Sequence, residues 1–114
     1  AIEIAKKYNL PMRAFEPNSI SKMNEAGVKH SKRFLYEFTG KDLTIEKFIC
    51  EVNKAKGEEL AEIMTHPAYL DTYLQNFSSY NLQRIKELEI LTSEEVKNFI
   101  KENEIELISF GDIR

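Results

Sequence analysis

The sequence predicts an α/β fold with mainly parallel strands joined by crossover helices. Three observations carry that expectation. Strand-like and helix-like segments alternate along the 114 residues. Each connection between strand-like segments is long enough to hold a helix, which parallel neighbours need and hairpins do not. The helical stretches place apolar side chains at helical spacing, so each has one face to bury. A chain of 114 residues suits one core and hardly two, so residues 1–114 are expected to form a single domain.

Taken in order, Ala1–Tyr8 reads as the end of a helix. It starts without a cap and without Met, as though cut from something longer. Leu10–Phe15 follows as a short strand with Pro11 near its start. Ser19–Ala26 reads as a helix, with Ser19 as N-cap and Gly27 as the left-handed stop. Phe34–Phe38 is aromatic and strand-like and is ended by Thr39-Gly40. Thr44 then caps the clearest helix, in which Ile45, Phe48, Ile49 and Val52 fall at i, i+3, i+4 and i+7 on one face.

Leu60–Met64 is a strand that must stop at Thr65-His66-Pro67, because Pro67 has no N–H to give to a ladder. Residues Ala68–Tyr80 read as a polar and aromatic loop. Leu82–Leu91 is a helix expected to bury Ile85, Leu88 and Leu91. Thr92 and Glu95 read as a capping box opening a helix whose inner face is Val96, Phe99 and Ile100. Ile105–Phe110 is rich in β-formers and is expected to be the last strand.

Composition excludes several classes. Hydrophobic residues make up 42% and charged residues 31% of the chain, the balance of a folded globular protein rather than a disordered one. No apolar run approaches the length of a membrane span. Sixteen basic residues are spread among nineteen acidic ones for a net charge of −3, which gives a polyanion such as nucleic acid no basic face. The single cysteine, Cys50, rules out an internal disulfide and a cysteine-rich zinc site. A reducing, cytoplasmic setting is the expectation.

Phosphate-cradling loops, the nucleophile elbow, HExxH and CxxC are all absent from the sequence. Among the side chains that remain, His66 is the most informative. It directly follows a strand, where α/β folds place their chemistry, and an imidazole can take or give a proton near pH 7. The plainer reading is a loop histidine satisfying a backbone carbonyl. Asp71 is placed to orient that imidazole or simply to serve a turn. Arg13, after the strand from Leu10, is either a partner for a carboxylate or substrate, or a surface cation. Arg84 suits a specific ion pair or a solvated helix face. His30 lies in a charged turn, and Cys50 reads as a small buried hydrophobe. Tyr69, Tyr73, Phe77 and Tyr80 are the aromatic side chains suited to stacking on a sugar.

Together the segments resemble one family. Glu62-Ile63-Met64-Thr65-His66-Pro67-Ala68-Tyr69-Leu70-Asp71 resembles the "E-[IL]-M-x-H-P-G-Y-x-D" of the YdjC-like carbohydrate deacetylases. Ser78-Ser79-Tyr80-Asn81, with Arg84, Glu87-Leu88 and Leu91-Thr92-Ser93, resembles that family's "S-Y-N-x-x-R-x-x-E-L-x-x-L-T-S". Ile4 to Arg13 is similar to its "A-x-x-x-x-[IL]-P-x-[IV]-R", and Ile105–Phe110 to its last strand. The resemblance runs in order along nearly the whole chain. Ala68 departs from the usual glycine, and Thr39 from a frequent tyrosine before Gly40.

The resemblance implies a divalent-metal (magnesium or zinc) amide hydrolase acting on N-acetylglucosamine-containing oligosaccharides such as chitobiose. It implies a distorted TIM-like (β/α) barrel of which residues 1–114 are the C-terminal part, since such barrels need about 250 residues. The family's metal ligands, an aspartate and two histidines, would lie upstream of this chain, so none is expected within it. By the same resemblance His66 and Arg13 are the catalytic candidates, and Asp71 and Tyr69 the substrate-binding ones. His66 would stabilise the tetrahedral intermediate or protonate the leaving amine. The alternative is a non-catalytic binding or assembly domain derived from such an enzyme. Open strand edges left by an incomplete barrel predict a homodimer or swapped oligomer.

Overall fold

The computed structural model describes residues 1–113, which form two compact units. The first comprises Ala1–Phe34, Gly57–Glu62 and the segment from Glu106; the second comprises Leu35–Lys56 and Ile63–Ile105.

In the first unit, α1 (Ile2–Tyr8) packs on α2 (Pro17–Ala26). The stop after α1 is Asn9, left-handed at φ 51°, a conformation Asn tolerates better than most residues. Helix α2 begins two residues before the expected cap. Pro17, whose missing N–H costs nothing at the first helical position, opens it. Ser19 sits at the third position, where its hydroxyl accepts the Glu16 N–H at 3.2 Å. Gly27 ends the helix at φ 70° as anticipated. Ala5, Ala14, Met23 and Val28 form the core, with Ile2, Met12 and Ile20 against it. The expected strand over Leu10–Phe15 shrinks to one parallel bridge between Met12 and His30.

A two-stranded sheet joins β1 (Arg33–Leu35) to β2 (Ala61–Ile63). Its bonds advance the same way on both strands, from Lys32 N–H to Leu60 O (2.9 Å) and then Met64 N–H to Leu35 O (2.8 Å), so the pair is parallel. The α/β class with parallel pairing is therefore present, with strands shorter than expected. Ile105–Phe110 is not a strand. The chain leads there into a 3₁₀ turn at Phe110–Asp112, closed by Ser109 N–H on the Asp112 carboxylate at 2.8 Å, and Leu107 and Ile108 stay exposed. Strand-forming side chains do not make a strand without a ladder to join.

The second unit is helical. α3 (Ile45–Asn53) opens where expected, with Thr44 Oγ1 accepting the Lys47 N–H at 3.1 Å. α5 (Leu82–Leu91) and α3 each pack on α6 (Glu94–Glu102). Phe38, Leu43, Phe48, Ile90 and Val96 are the core, and Ile45, Ile49, Val52 and Ile100 close over it. Phe38 and Phe48 meet edge to face at 5.2 Å. Two expectations are corrected. α6 is capped by Ser93, whose hydroxyl accepts the Val96 N–H, while Thr92 ends α5 and donates back to Leu88 O at 2.7 Å. α5 buries Glu87 and Ile90 instead of Ile85, which is exposed. No helix among the described residues is long and apolar enough to cross a membrane.

Candidate active site

His66 lies three residues past β2, and its position is set by α5 in the second unit. Its backbone N–H donates to Oε2 of Glu87, a carboxylate that is 0% exposed. Its carbonyl accepts from Arg84 Nη1 at 3.3 Å, and Arg84 O in turn accepts the Ala68 N–H at 3.2 Å. Residues on both sides of Pro67 are thus tied to one turn of helix. The imidazole Nδ1 stands 4.0 Å from Glu87 Oε1, an ionic distance but too long for a hydrogen bond. Nδ1 is buried without a hydrogen-bond partner among the described residues, although the side chain as a whole is 35% exposed. The accessible part of the ring is therefore its other edge.

Tyr80 completes the arrangement. Its phenol donates to Glu87 Oε1 and accepts from Thr39 Oγ1 (3.2 Å) and Gly40 N–H (3.4 Å). Burial, and next the Glu87 carboxylate, push the phenol above its ordinary pKa. The Tyr80 ring meets the imidazole edge to face at 5.7 Å. Arg84 Nε donates to Tyr80 O at 2.8 Å, so the guanidinium holds two backbone carbonyls, those of Tyr80 and His66.

The other candidates fall elsewhere. Asp71 is the N-cap of a short helix α4 (Thr72–Phe77) inside the expected loop, its Oδ1 accepting the Leu74 N–H at 2.7 Å. The carboxylate paired with His66 is Glu87, not Asp71. Tyr69 is 87% exposed, and Tyr73 stacks on Phe77 at 4.4 Å across one turn of α4. Arg13 belongs to the first unit. Its Nε donates to Glu62 Oε1 at 2.5 Å, its guanidinium lies 4.9 Å from the Phe34 ring centre, and Glu62 Oε2 is buried without a hydrogen-bond partner among the described residues. His30 is buried, not solvated, with ring contacts to Ser31 O (2.7 Å) and Asn24 Oδ1 (2.9 Å). Cys50 is exposed, so it is not the buried hydrophobe expected of an amphipathic face. No group of three or more His, Cys, Asp or Glu side chains among the described residues is placed to hold a metal ion. What this site offers is an imidazole on a backbone held at both its N–H and its carbonyl, beside a buried carboxylate.

A model of the YdjC-like protein family matches residues 1–102. The chain belongs to the YdjC-like family. It is 34% identical over 113 residues to a carbohydrate deacetylase of Brevibacillus brevis, covering 98% of this chain and 46% of that protein. It is 38% identical over 113 residues to a carbohydrate deacetylase of Thermoanaerobacter pseudethanolicus, covering 99% and 45%. The chain thus spans just under half the length of these relatives. A crystal structure of an Enterococcus faecalis V583 protein, whose proposed role is cellobiose-phosphate cleavage, superposes with a TM-score of 0.86 at 34% identity. That match covers 96% of this chain and 44% of the other.

Glu87, Tyr80 and Glu62 stand inside the motifs that carry the family resemblance, yet Glu87 and Glu62 had no expected role, and Tyr80, expected to stack on a sugar, instead binds Glu87 through its hydroxyl. The available signal was positional. Glu87 shares a helix face with Ile90, three residues on, and an acid on a buried face requires partners to be there at all.

Proposed function

We propose that this chain is the C-terminal portion of a carbohydrate deacetylase, which hydrolyses the acetamide of N-acetylglucosamine-containing oligosaccharides to a free amine and acetate. The complete enzyme would be a distorted TIM-like barrel in which residues 1–114 are an incomplete part of one domain, acting in the cytoplasm. The observation that carries the reading is the His66 imidazole: it sits past a parallel strand, one edge buried against Glu87 and the other accessible.

Water adds to the amide carbonyl, the C–N bond breaks, and the nitrogen must gain a proton because an amide anion is a poor leaving group. His66 supplies that proton from its accessible edge. Arg13, clamped by Glu62 in its own unit, is the proposed second catalytic group, a cation for an oxygen that gains charge. Tyr69 offers an exposed ring to a sugar face, and Asp71 a carboxylate near it in sequence. A divalent metal, magnesium or zinc, would polarise the carbonyl and the water in the complete enzyme. The described residues do not fit that group, and its ligands would come from polypeptide outside this chain.

In the full-length protein, His66→Ala should lower kcat for acetate release from an N-acetylated chitooligosaccharide by about 10²–10⁴-fold, with KM little changed. Turnover by the variant within about twofold of the parent would remove His66 from the chemistry. A second reading, a non-catalytic sugar-binding or assembly domain working as a homodimer, is favoured by the exposed aromatic rings of Tyr69, Tyr73 and Phe77. Full-length protein that binds the sugar without releasing acetate would establish it.

A further inference from the structure

We infer that Glu87 is a positioning residue that dictates which nitrogen of His66 carries the proton, with Tyr80 aiming Glu87. The inference rests on the acid–base reading of His66 and assigns the device that makes the ring directional.

A neutral imidazole has one N–H and one bare nitrogen, and a side chain that holds it must choose between them. The hydrogen-bond directions around Glu87 leave little choice. Oε2 accepts the His66 backbone N–H, and Oε1 accepts the Tyr80 phenol. Tyr80 has a single hydroxyl hydrogen, and its oxygen already takes the Thr39 hydroxyl and the Gly40 N–H. Turning the phenol away would strand those two donors as well as the carboxylate. Glu87 therefore stays an acceptor on both oxygens, with lone-pair capacity left on Oε1 toward Nδ1 at 4.0 Å. Nδ1 has no hydrogen-bond partner among the described residues. A carboxylate can only accept, so a ring movement of about 1 Å makes Nδ1–H the donor at normal hydrogen-bond length. The bare nitrogen is then Nε2, on the accessible edge, where a proton can be taken up and passed to substrate.

Two features restrict the ring's alternatives. The Tyr80 ring stands edge-on to the imidazole at 5.7 Å. Glu87 also holds the backbone of the same residue whose ring it orients, so carboxylate and imidazole move together. Arg84, one turn earlier on α5, ties the His66 and Tyr80 carbonyls into the same assembly.

The test is Glu87→Gln in the full-length protein, a change that preserves shape and one acceptor oxygen but brings an amide donor. The ring nitrogens of His66 are read by ¹H–¹⁵N long-range correlation in histidine-labelled protein, with His66→Asn identifying the signals against His30. The parent should show Nδ1–H with bare Nε2. Glu87→Gln should shift His66 toward the Nε2–H tautomer and lower kcat about 10²-fold, with KM within about twofold. Tyr80→Phe should give a smaller loss in the same direction. An unchanged tautomer in the folded Glu87→Gln protein overturns the inference, as does an unchanged kcat while His66→Ala is inactive. Should His66→Ala itself turn over normally, the acid–base reading fails, and the tautomer alone still decides whether Glu87 orients the ring.

Discussion

Removing the Tyr80 hydroxyl tests whether the buried carboxylate is held by a directed bond or merely enclosed. Tyr80→Phe deletes one donor to Glu87 and one acceptor for Thr39 and Gly40, with the ring left in place. A hydrogen bond to a charged group contributes about 1.5–3 kcal/mol net. Tyr80 is half-buried, so water can partly replace the lost partner, and the expected cost is about 1.5 kcal/mol. Glu87→Gln removes the buried charge but keeps an acceptor, so relief of desolvation offsets part of the weaker bonding, and about 1 kcal/mol is expected. In the double variant the Tyr80 contact has already gone, and the coupling between the two changes should be about 1 kcal/mol. Urea unfolding of the four proteins at neutral pH, with equal m-values, reads each cost from the midpoint. If the single effects add to within about 0.3 kcal/mol, the phenol and the carboxylate are not coupled and the reasoning fails. A spectroscopic companion is available. Because burial and then Glu87 hold the proton on the phenol, this contribution is intact below the ordinary phenol pKa, near 10, and fades as pH rises through the higher folded value. The difference in tyrosinate absorbance between parent and Tyr80→Phe should emerge on that alkaline side.

Two further outcomes are expected. Asp71→Ala should cost about 1 kcal/mol at the start of α4 and speed exchange of the Leu74 amide, whereas Asp71→Asn keeps the cap; equal loss of protection in both variants would show that cap geometry is not what holds the turn. Glu51 is 3% exposed, and although burial raises its carboxyl pKa, the Lys54 ammonium and the Glu37 and Tyr36 backbone groups outweigh it and leave the value lowered. A lowered folded value means its contribution is present above the ordinary carboxylate range, about 4.3, and lost as pH falls through the folded value. Glu51→Gln should therefore flatten the acid side of a stability–pH profile, and an unaltered acid slope would refute this.

The legible parts of the sequence were those in which one local cause suffices. Thr44 followed by Ile45, Phe48, Ile49 and Val52 determines cap, period and buried face together, and α3 forms with that cap and face. Boundaries shifted where two residues compete for one job, as at Thr92 and Ser93, because only the packed chain shows which hydroxyl faces the free N–H groups. Strands were the weaker reading. Leu10–Phe15 and Ile105–Phe110 have the right side chains, but a strand is a relation to a neighbour, and a one-residue bridge or an exposed turn satisfies the same composition. At the site, His66 was visible because a histidine and a proline punctuate a strand. Glu87 was not, because an acid in a helix normally faces water, and what satisfies it when buried is the backbone N–H of His66, distant in sequence, and a phenol from just before its own helix.

The first unit is assembled from three stretches of chain, the last beginning only at Glu106. Along the chain α1 and α2 come first, and the segments that complete their unit follow only after two intervening stretches, 35–56 and 63–105, each of which must be looped out. The second unit draws on two stretches only, Leu35–Lys56 and Ile63–Ile105. The core side chains of the first unit, Ala5, Ala14, Met23 and Val28, all lie in its first stretch, so the later stretches wrap a core whose side chains the first stretch already carries.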